Sequence, residues 1–389
     1  MRENSGGYPW RYGLFLMAYY ITNSVYQGFI TVYFQQNGLS TAQIGALMSA
    51  APFVSLFSQP LWGAVGDRVK SRTALLRALC VGAAAAILAF LFNRAFGFLL
   101  IMLCLYSAFF TALQPMGDSI ILESLQQRRQ GFGPIRLLAS VAFAISSMTV
   151  GALVDGRINW VIYLTALMLG LVFLSTFALP NVAGHQRVGH SGNMLMLLRH
   201  RELGHLLAFI TLLQVTMGYF YSFFSVHFIA LPGGNAQLLG WAYFISSVSE
   251  MPFLLCADRL FDRLGAGKLL CVSALALTLR WVLLGFLTDV YWVMATQVLH
   301  GWGFIVMTVS MSKYISLTVP EELRARGQML LAVVGYGVAR VVGCYGGGLI
   351  AQSMGMGPAF FVSAAISAAA LALYAPRYLR CPALNGVSR

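Results

Sequence analysis

Apolar stretches of about twenty residues recur along the whole chain, and they restrict its fold more than any other feature. A helix of about 20 residues, rising about 1.5 Å per residue, spans the roughly 30 Å hydrocarbon core of a bilayer. Of the 389 residues, 59% are hydrophobic and 10% are charged, whereas about 25% are charged in soluble domains. The sequence therefore predicts an all-α integral membrane protein. Its twelve transmembrane helices are predicted at residues 12–35, 42–65, 73–93, 96–125, 134–154, 158–180, 205–230, 237–257, 268–287, 290–316, 327–352 and 357–376.

Basic residues concentrate in alternate loops between these segments, for example at Arg68 to Arg77, Arg128 to Arg129 and Arg259 to Lys268. Because Lys and Arg in short loops stay on the cytoplasmic side, this pattern predicts that both termini are cytoplasmic, in a multi-pass protein of the cell (inner) membrane. The same bias accounts for the net charge of +13. The charge therefore calls for no nucleic-acid partner.

Two similar motifs indicate an internal repeat. GDRVKSRTALL at Gly66 to Leu76 has a counterpart, FDRLGAGKLL, at Phe261 to Leu270. A polar linker at residues 181–204 separates them, so we expect two six-helix bundles, at 1–180 and 205–389. Parallel six-helix repeats with a midplane site are the design of many secondary transporters.

The stretch QPLWGAVGDRVKSR, at Gln59 to Arg72, resembles the motif between helices two and three of the major facilitator superfamily. In that family the motif braces the cytoplasmic gate, so the resemblance implies a gating role rather than a substrate contact. The second copy in the repeat extends that role to the other half. The implied gate residues are Gly63, Asp67, Arg68, Arg72, Asp262 and Arg263.

Further pieces resemble the lactose permease branch of that superfamily, together with its nucleoside and phenylpropionate relatives: FGPIRLLASVAF at Phe132 to Phe143, SEMPFLL at Ser249 to Leu255 and LRW at Leu279 to Trp281. The resemblance implies alternating-access transport of a sugar, nucleoside or aromatic acid, by proton symport. No nucleophile with a base, metal-ligand spacing or phosphate loop occurs, so we expect neither an enzyme nor a metal or cofactor, and a proton gradient as the energy source. We expect a monomer whose partners are a small-molecule substrate, protons and the bilayer.

Helices four and five are predicted to form an antiparallel hairpin that turns near Arg129, which lets Asp118 or Glu123 meet Arg136. The resemblance favours Asp118, because the permease binds its sugar with an acid and an arginine eighteen residues apart. Glu123 has an alternative role, ending helix four at the membrane interface. Phe143 falls where the permease stacks an aromatic ring on the sugar, so it is a further candidate contact.

The first helix adds polar candidates to this site. Asn23 and Gln27 lie four residues apart and therefore share one face, close to Tyr20. Polar side chains in apolar helices either join helices together or contact the solute, and the sequence leaves both interpretations open.

In the second half, Glu250, Arg280 and His300 stand alone on three different predicted helices. Isolated charges are expensive inside a membrane, so we expect these three to satisfy one another. The resemblance implies that they bind substrate and carry the proton. The proton-carrying glutamate of the permease falls here on Gly303, so any coupling must use Glu250 or Asp118.

Arg340 lies in a glycine-rich helix, without an acid nearby in the sequence. It either pairs with Glu250, reaches the membrane surface, or binds an anionic substrate. Two alternatives to a proton symporter remain, namely an uncoupled uniporter and a substrate-sensing receptor on the same fold.

Overall fold

The computed structural model describes residues 8–184, 201–319 and 321–380, and in these ranges the chain forms helices and no strands. Among the same residues, eleven helices are long and apolar enough to cross a membrane. A further helix of 24 residues, Gly13–Gln36, is less apolar because it carries tyrosine, threonine, asparagine and glutamine side chains. In chain order the helices are α1 Gly13–Gln36, α2 Thr41–Arg68, α3 Arg72–Leu91, α4 Phe96–Gln127, α5 Gly133–Val154, α6 Trp160–Ala178, α7 Leu203–Ala230, α8 and α9 together Ala236–Phe286 with the division at Gly265, α10 Val290–Leu317, α11 Gly327–Met354 and α12 Met356–Arg380.

The predicted fold class is confirmed, but one predicted loop is wrong. The helix α8 was expected to end near residue 257, whereas the chain is helical from Ala236 to Phe286 with a single break at Gly265. Gly265 has a φ of 75°, a conformation that glycine adopts without steric cost. The chain therefore reverses direction there without a loop.

The helices alternate in direction, so their connections fall on two faces. We call the face with residues 69–71, 179–184 and Gly265 the terminal face, because α1 begins there and α12 ends there. The opposite face carries residues 37–40, residues 231–235 and Gly355. Most of the predicted linker, residues 185–200, lies outside the described residues.

Helices α1–α6, the first half, pack mainly on one another, as do α7–α12, the second half. Between the halves, α5 packs on α8 and α2 on α11. Both crossings are glycine against glycine at the opposite face. A Cβ at Gly45 would lie 2.9 Å from the Gly348 Cα, and one at Gly151 would lie 2.9 Å from the Gly240 Cα. Backbones can approach this closely only where both residues lack a side chain.

Side chains also cap helices across the same contact. The Ala236 amide at the start of α8 donates to Asp155 Oδ1 at 3.1 Å. The Ala42 amide at the start of α2 donates to Gln352 Oε1 at 3.2 Å. Each half thus supplies an acceptor for helix N–H groups that have no partner within their own helix.

Candidate functional site

A cavity of about 930 Å³ lies between the halves, bordered by α1, α2, α4, α7 and α11. Its wall on α2 runs from Leu47 to Pro60, and its wall on α11 runs from Met329 to Cys344. The cavity therefore extends from the closed opposite face toward the terminal face. Gln27, in the middle of α1, lines this cavity and is exposed, so solvent reaches the centre of the protein.

The wall on α11 contains a π-helical segment, Ala332–Val338. Such wide turns are rare and are frequently found at functional sites. Tyr336 from this segment lines the cavity, and its hydroxyl lies 3.3 Å from the Thr308 hydroxyl of α10. The wide turn thus helps to place an aromatic ring on the cavity wall.

In the first half, α1, α4 and α5 bring Tyr20, Gln114 and Arg136 together. The Arg136 guanidinium lies 4.9 Å from the centroid of the Tyr20 ring, a cation–π distance. The Tyr20 hydroxyl accepts a hydrogen bond of 3.3 Å from Gln114 Nε2. Gln114 was missed in the sequence, although its position four residues before Asp118 places both on one helix face.

Asp118 is half-buried on α4 and interacts electrostatically with Arg136. Within the described ranges the two side chains do not form an ion pair, and Asp118 Oδ1 is buried without a hydrogen-bond partner. An unpaired buried acceptor is costly. This conformation therefore leaves the predicted Asp118–Arg136 clamp open.

The remaining first-half candidates lie on α1 and α5. Asn23 is half-buried, and its Oδ1 has no partner among the described residues. Phe143 is half-buried on α5, and its carbonyl accepts hydrogen bonds from the hydroxyls of Ser146 and Ser147. Of these candidates, Gln27 is the one that lines the cavity.

In the second half, a chain of polar contacts joins Gln297, Arg280, His300 and Glu250. Arg280 is fully buried and donates to Gln297 Oε1. Its Nη1 lies 2.7 Å from His300 Nδ1, and His300 Nε2 lies 3.1 Å from Glu250 Oε1. The structure thus brings the three sequence-predicted residues together and adds Gln297. That residue was missed because a neutral amide does not demand a partner as strongly as a charge does.

Local packing explains how Glu250 reaches His300 between α8 and α10. The Gly301 amide donates to Ser249 Oγ at 3.0 Å, and a Cβ at Gly301 would lie 2.7 Å from the Ser249 carbonyl carbon. A larger residue than glycine at this position would push the two helices apart. Glycine beside His300 is therefore what lets the histidine contact the acid.

The hydrogen-bond directions fix the protonation of His300. A guanidinium has no acceptor, so His300 Nδ1 must accept from Arg280. The neutral ring then carries its proton on Nε2 and donates to Glu250. Adding a second proton to His300 would break its contact with Arg280, whereas Glu250 can take a proton without breaking that contact.

Arg340, on α11, lies on the cavity wall between two tyrosine rings. Its guanidinium carbon is 4.8 Å from the Tyr221 centroid and 5.5 Å from the Tyr336 centroid. Its Nε donates to Gln214 Oε1 at 3.3 Å. The α7 and α11 helices meet closely here, since a Cβ at Gly218 would lie 2.9 Å from the Arg340 carbonyl oxygen. No ion pair with Glu250, one of the predicted options, forms within the described residues.

The predicted gate residues divide into two groups. Arg72 is buried at the start of α3, where it forms an ion pair with Glu123 and donates to Ser119 Oγ at 3.1 Å. Its amide donates to the Val182 carbonyl at 2.9 Å. Glu123 thus contacts Arg72, a partner that the sequence reasoning did not consider. The others, Gly63, Asp67, Arg68, Asp262 and Arg263, are exposed at the terminal face.

Two helical halves around a solvent-reached cavity, with charged groups buried beside it, define a membrane transporter that binds a small molecule. The chain belongs to the MFS_1-like family, whose model matches residues 9–362. It is 30% identical over 319 residues to a maltose permease of Geobacillus stearothermophilus, covering 79% of each chain. It is also 27% identical over 368 residues to a probable 3-phenylpropionic acid transporter of Escherichia coli strain K12, covering 92% of this chain and 94% of the relative.

A solved structure of a mutant form of the nucleoside transporter NupG is similar, with a TM-score of 0.87. The match covers 96% of this chain and 100% of the NupG chain at 16% identity, which establishes the fold alone. The family expected from the sequence is thus confirmed. Family and fold are those of transporters rather than enzymes.

Proposed function

We propose that the protein is a secondary transporter that couples a small polar organic solute to protons by alternating access. The observation that carries this proposal is the position of Glu250. It ends the buried chain through His300 and Arg280, and it lies on α8, the helix of the second half that packs on α5 of the first half. An acid at this point can respond both to a proton and to the relative position of the halves.

The proposed cycle moves the halves against each other about the central cavity. In the state described here the glycine crossings close the opposite face. We propose that the alternate state closes the terminal face, where the helix ends containing Asp67–Arg68 and Asp262–Arg263 lie. In this proposal the protein lies in the cell membrane with both termini on the cytoplasmic side. A single chain forms the whole transport pathway.

The solute belongs to one of three chemical classes. The relatives and the similar structure are a maltose permease, a probable 3-phenylpropionic acid transporter and a nucleoside transporter. In each class the solute combines polar groups with a flat or apolar surface. The cavity supports such a solute because it offers glutamine, tyrosine, serine, threonine and arginine side chains on a wall that is otherwise apolar.

The test is uptake by purified protein in vesicles, using labelled maltose, uridine and 3-phenylpropionate under an imposed inward proton gradient. Accumulation above equilibrium that a proton ionophore abolishes supports symport. Uptake that stops at equilibrium and ignores the gradient indicates a uniporter and contradicts the coupling. Binding without uptake indicates a receptor, and the absence of both for all three solutes contradicts the proposed solute classes.

A further inference from the structure

We propose that Arg340 is the carboxylate-binding residue for the transported solute, which is an organic monocarboxylate with an apolar or aromatic body. This inference rests on the proposed transport function and narrows its three solute classes to one. The cluster that carries it consists of Arg340, Gln214, Tyr221 and Tyr336, which we call the arginine subsite.

Arg340 has donors to spare. Its Nε binds Gln214, and its planar face lies between Tyr221 and Tyr336. In the part of the chain that the structure describes, neither Nη atom has a hydrogen-bond acceptor or an acid within ion-pair distance. Four N–H donors of the guanidinium therefore remain for a ligand, in the fork geometry that fits a carboxylate.

A second and independent observation comes from Gln214 on α7. Its side chain is fully buried, with 0% exposure, and its Nε2 has no acceptor in the described residues. A buried donor normally has a hydrogen-bond partner, so this unpaired Nε2 indicates that an acceptor is missing. The arginine subsite thus contains unused donors on two helices, with Arg340 on the cavity wall and Gln214 fully buried in contact with it, and both match a group that only accepts.

The charge of the residues that line the cavity excludes an organic cation as the solute. Among the described residues that line it, none is acidic, and Arg340 is the cation. An organic cation would meet an unbalanced positive charge there. A phosphate group carries close to two negative charges and would leave one unpaired, whereas a carboxylate is matched by a single arginine.

The remainder of the cavity fits the body of such a solute. The walls beyond the arginine subsite are largely apolar, so an aryl or alkyl group gains free energy on entering from water. A sugar has no anionic group and would leave the Arg340 guanidinium without a counter-charge. The apolar lining residues include Met48, Ala51, Pro52, Leu56, Met329 and Val333.

The arginine subsite also lies beside the proposed proton site. Tyr221 interacts electrostatically with both Arg340 and Glu250. A monocarboxylate on Arg340 together with one proton on Glu250 adds no net charge to the protein. The pair therefore enters the low-dielectric interior more easily than either charge alone.

The experiment measures binding to the purified full chain at neutral pH by calorimetry. The probes are 3-phenylpropionate and benzoate, the neutral alcohols 3-phenylpropan-1-ol and benzyl alcohol, phenyl phosphate, maltose and uridine. We expect a carboxylate to bind at least about tenfold more tightly than its alcohol. In Arg340→Gln this difference should disappear.

Arg94→Gln is the matched control, because Arg94 is exposed between α3 and α4, away from the cavity, and should leave carboxylate affinity unchanged. Arg340→Lys keeps a charge without the fork, so an intermediate affinity is expected even if the glutamine variant fails to fold. Equal affinity for carboxylates and alcohols, preference for phenyl phosphate, or full carboxylate affinity in Arg340→Gln overturns the proposal. Binding and uptake of maltose or uridine alone also overturns it while leaving the transport function intact. Failure of all solutes to be taken up would count against both.

Discussion

Tyr20 of α1 and Glu250 of α8 belong to different halves, yet they lie close enough to interact electrostatically. Tyr20 in turn faces Arg136, and Glu250 faces His300. The polar groups of both halves therefore form one neighbourhood across the centre of the protein. Glu250 thus belongs to the polar contacts of the second half and lies near its boundary with the first half.

Glu250→Gln should abolish proton-driven accumulation while leaving solute exchange across vesicles near the wild-type rate. The amide keeps the shape and can still contact His300, but it cannot gain or lose a proton. Counterflow of labelled solute, compared with uptake under an imposed proton gradient, separates the two activities. Accumulation by this variant at the wild-type level would show that the proton is carried elsewhere, Asp118 being the next candidate.

Arg136→Ala should abolish uptake without preventing folding, because Arg136 is half-buried, lies over Tyr20 and has no ion pair among the described residues. We therefore expect Arg136 to contact the solute or Asp118 during the transport cycle, rather than to stabilise the conformation described here. Uptake and thermal unfolding are measured together. A variant that transports like the wild type would refute this assignment.

Arg280→Gln should lower the melting temperature more than Arg340→Gln does. Arg280 is fully buried, and its loss leaves His300 Nδ1 and Gln297 Oε1 without a donor. An unsatisfied buried polar group costs about 1–3 kcal/mol. Thermal unfolding in detergent compares the two arginine variants. If Arg340→Gln proves the less stable protein, the buried chain is not the main structural element of the second half.

Gly45→Leu should prevent closure of the opposite face, because a Cβ there already meets the backbone of Gly348 at 2.9 Å. We expect spin labels at Gln36 and Ser353, which lie on different halves at this face, to move apart. Gly97→Leu is the control, since a Cβ at Gly97 would meet nothing within 4 Å. An unchanged label distance in Gly45→Leu would mean that the glycine crossing does not limit the approach of the halves.

The Arg72–Glu123 ion pair should show a coupling energy of about 0.5–3 kcal/mol in a double-mutant cycle, the range for residues in direct contact. Arg72→Ala, Glu123→Ala and the double variant are compared by thermal unfolding. Arg68→Ala, which removes an exposed arginine of the same motif, should have little effect. Additive effects of the two single changes would exclude a stabilising role for the pair.

Helix positions were predicted closely because the thickness of a membrane sets the length of each apolar stretch. For α4, for example, residues 96–125 were expected and Phe96–Gln127 is observed. The end of α8 was missed because the polar sequence around Asp262 is typical of a loop. Here it remains helical, and Gly265 alone makes the turn.

The site was predictable where charges stand alone on apolar helices. Glu250, Arg280 and His300 each need a polar partner inside the membrane. Because they lie on different helices, they can contact and satisfy one another. Neutral amides such as Gln214 carry no comparable signal, so their positions follow only from packing. For Glu123, the sequence suggested a partner on α5, because α4 and α5 form a hairpin. However, α3 also packs on α4, and its Arg72 is the residue that pairs with Glu123.

The caps exchanged at the opposite face have a consequence for the energy of opening. When that face separates, the amides of Ala42 and Ala236 lose Gln352 and Asp155 as acceptors. Water entering the gap can replace both acceptors, so each broken hydrogen bond is exchanged for another at little net cost. Hydration of two helix ends thus lets the face open without a large barrier. A dry apolar seam in the same place would have held it shut.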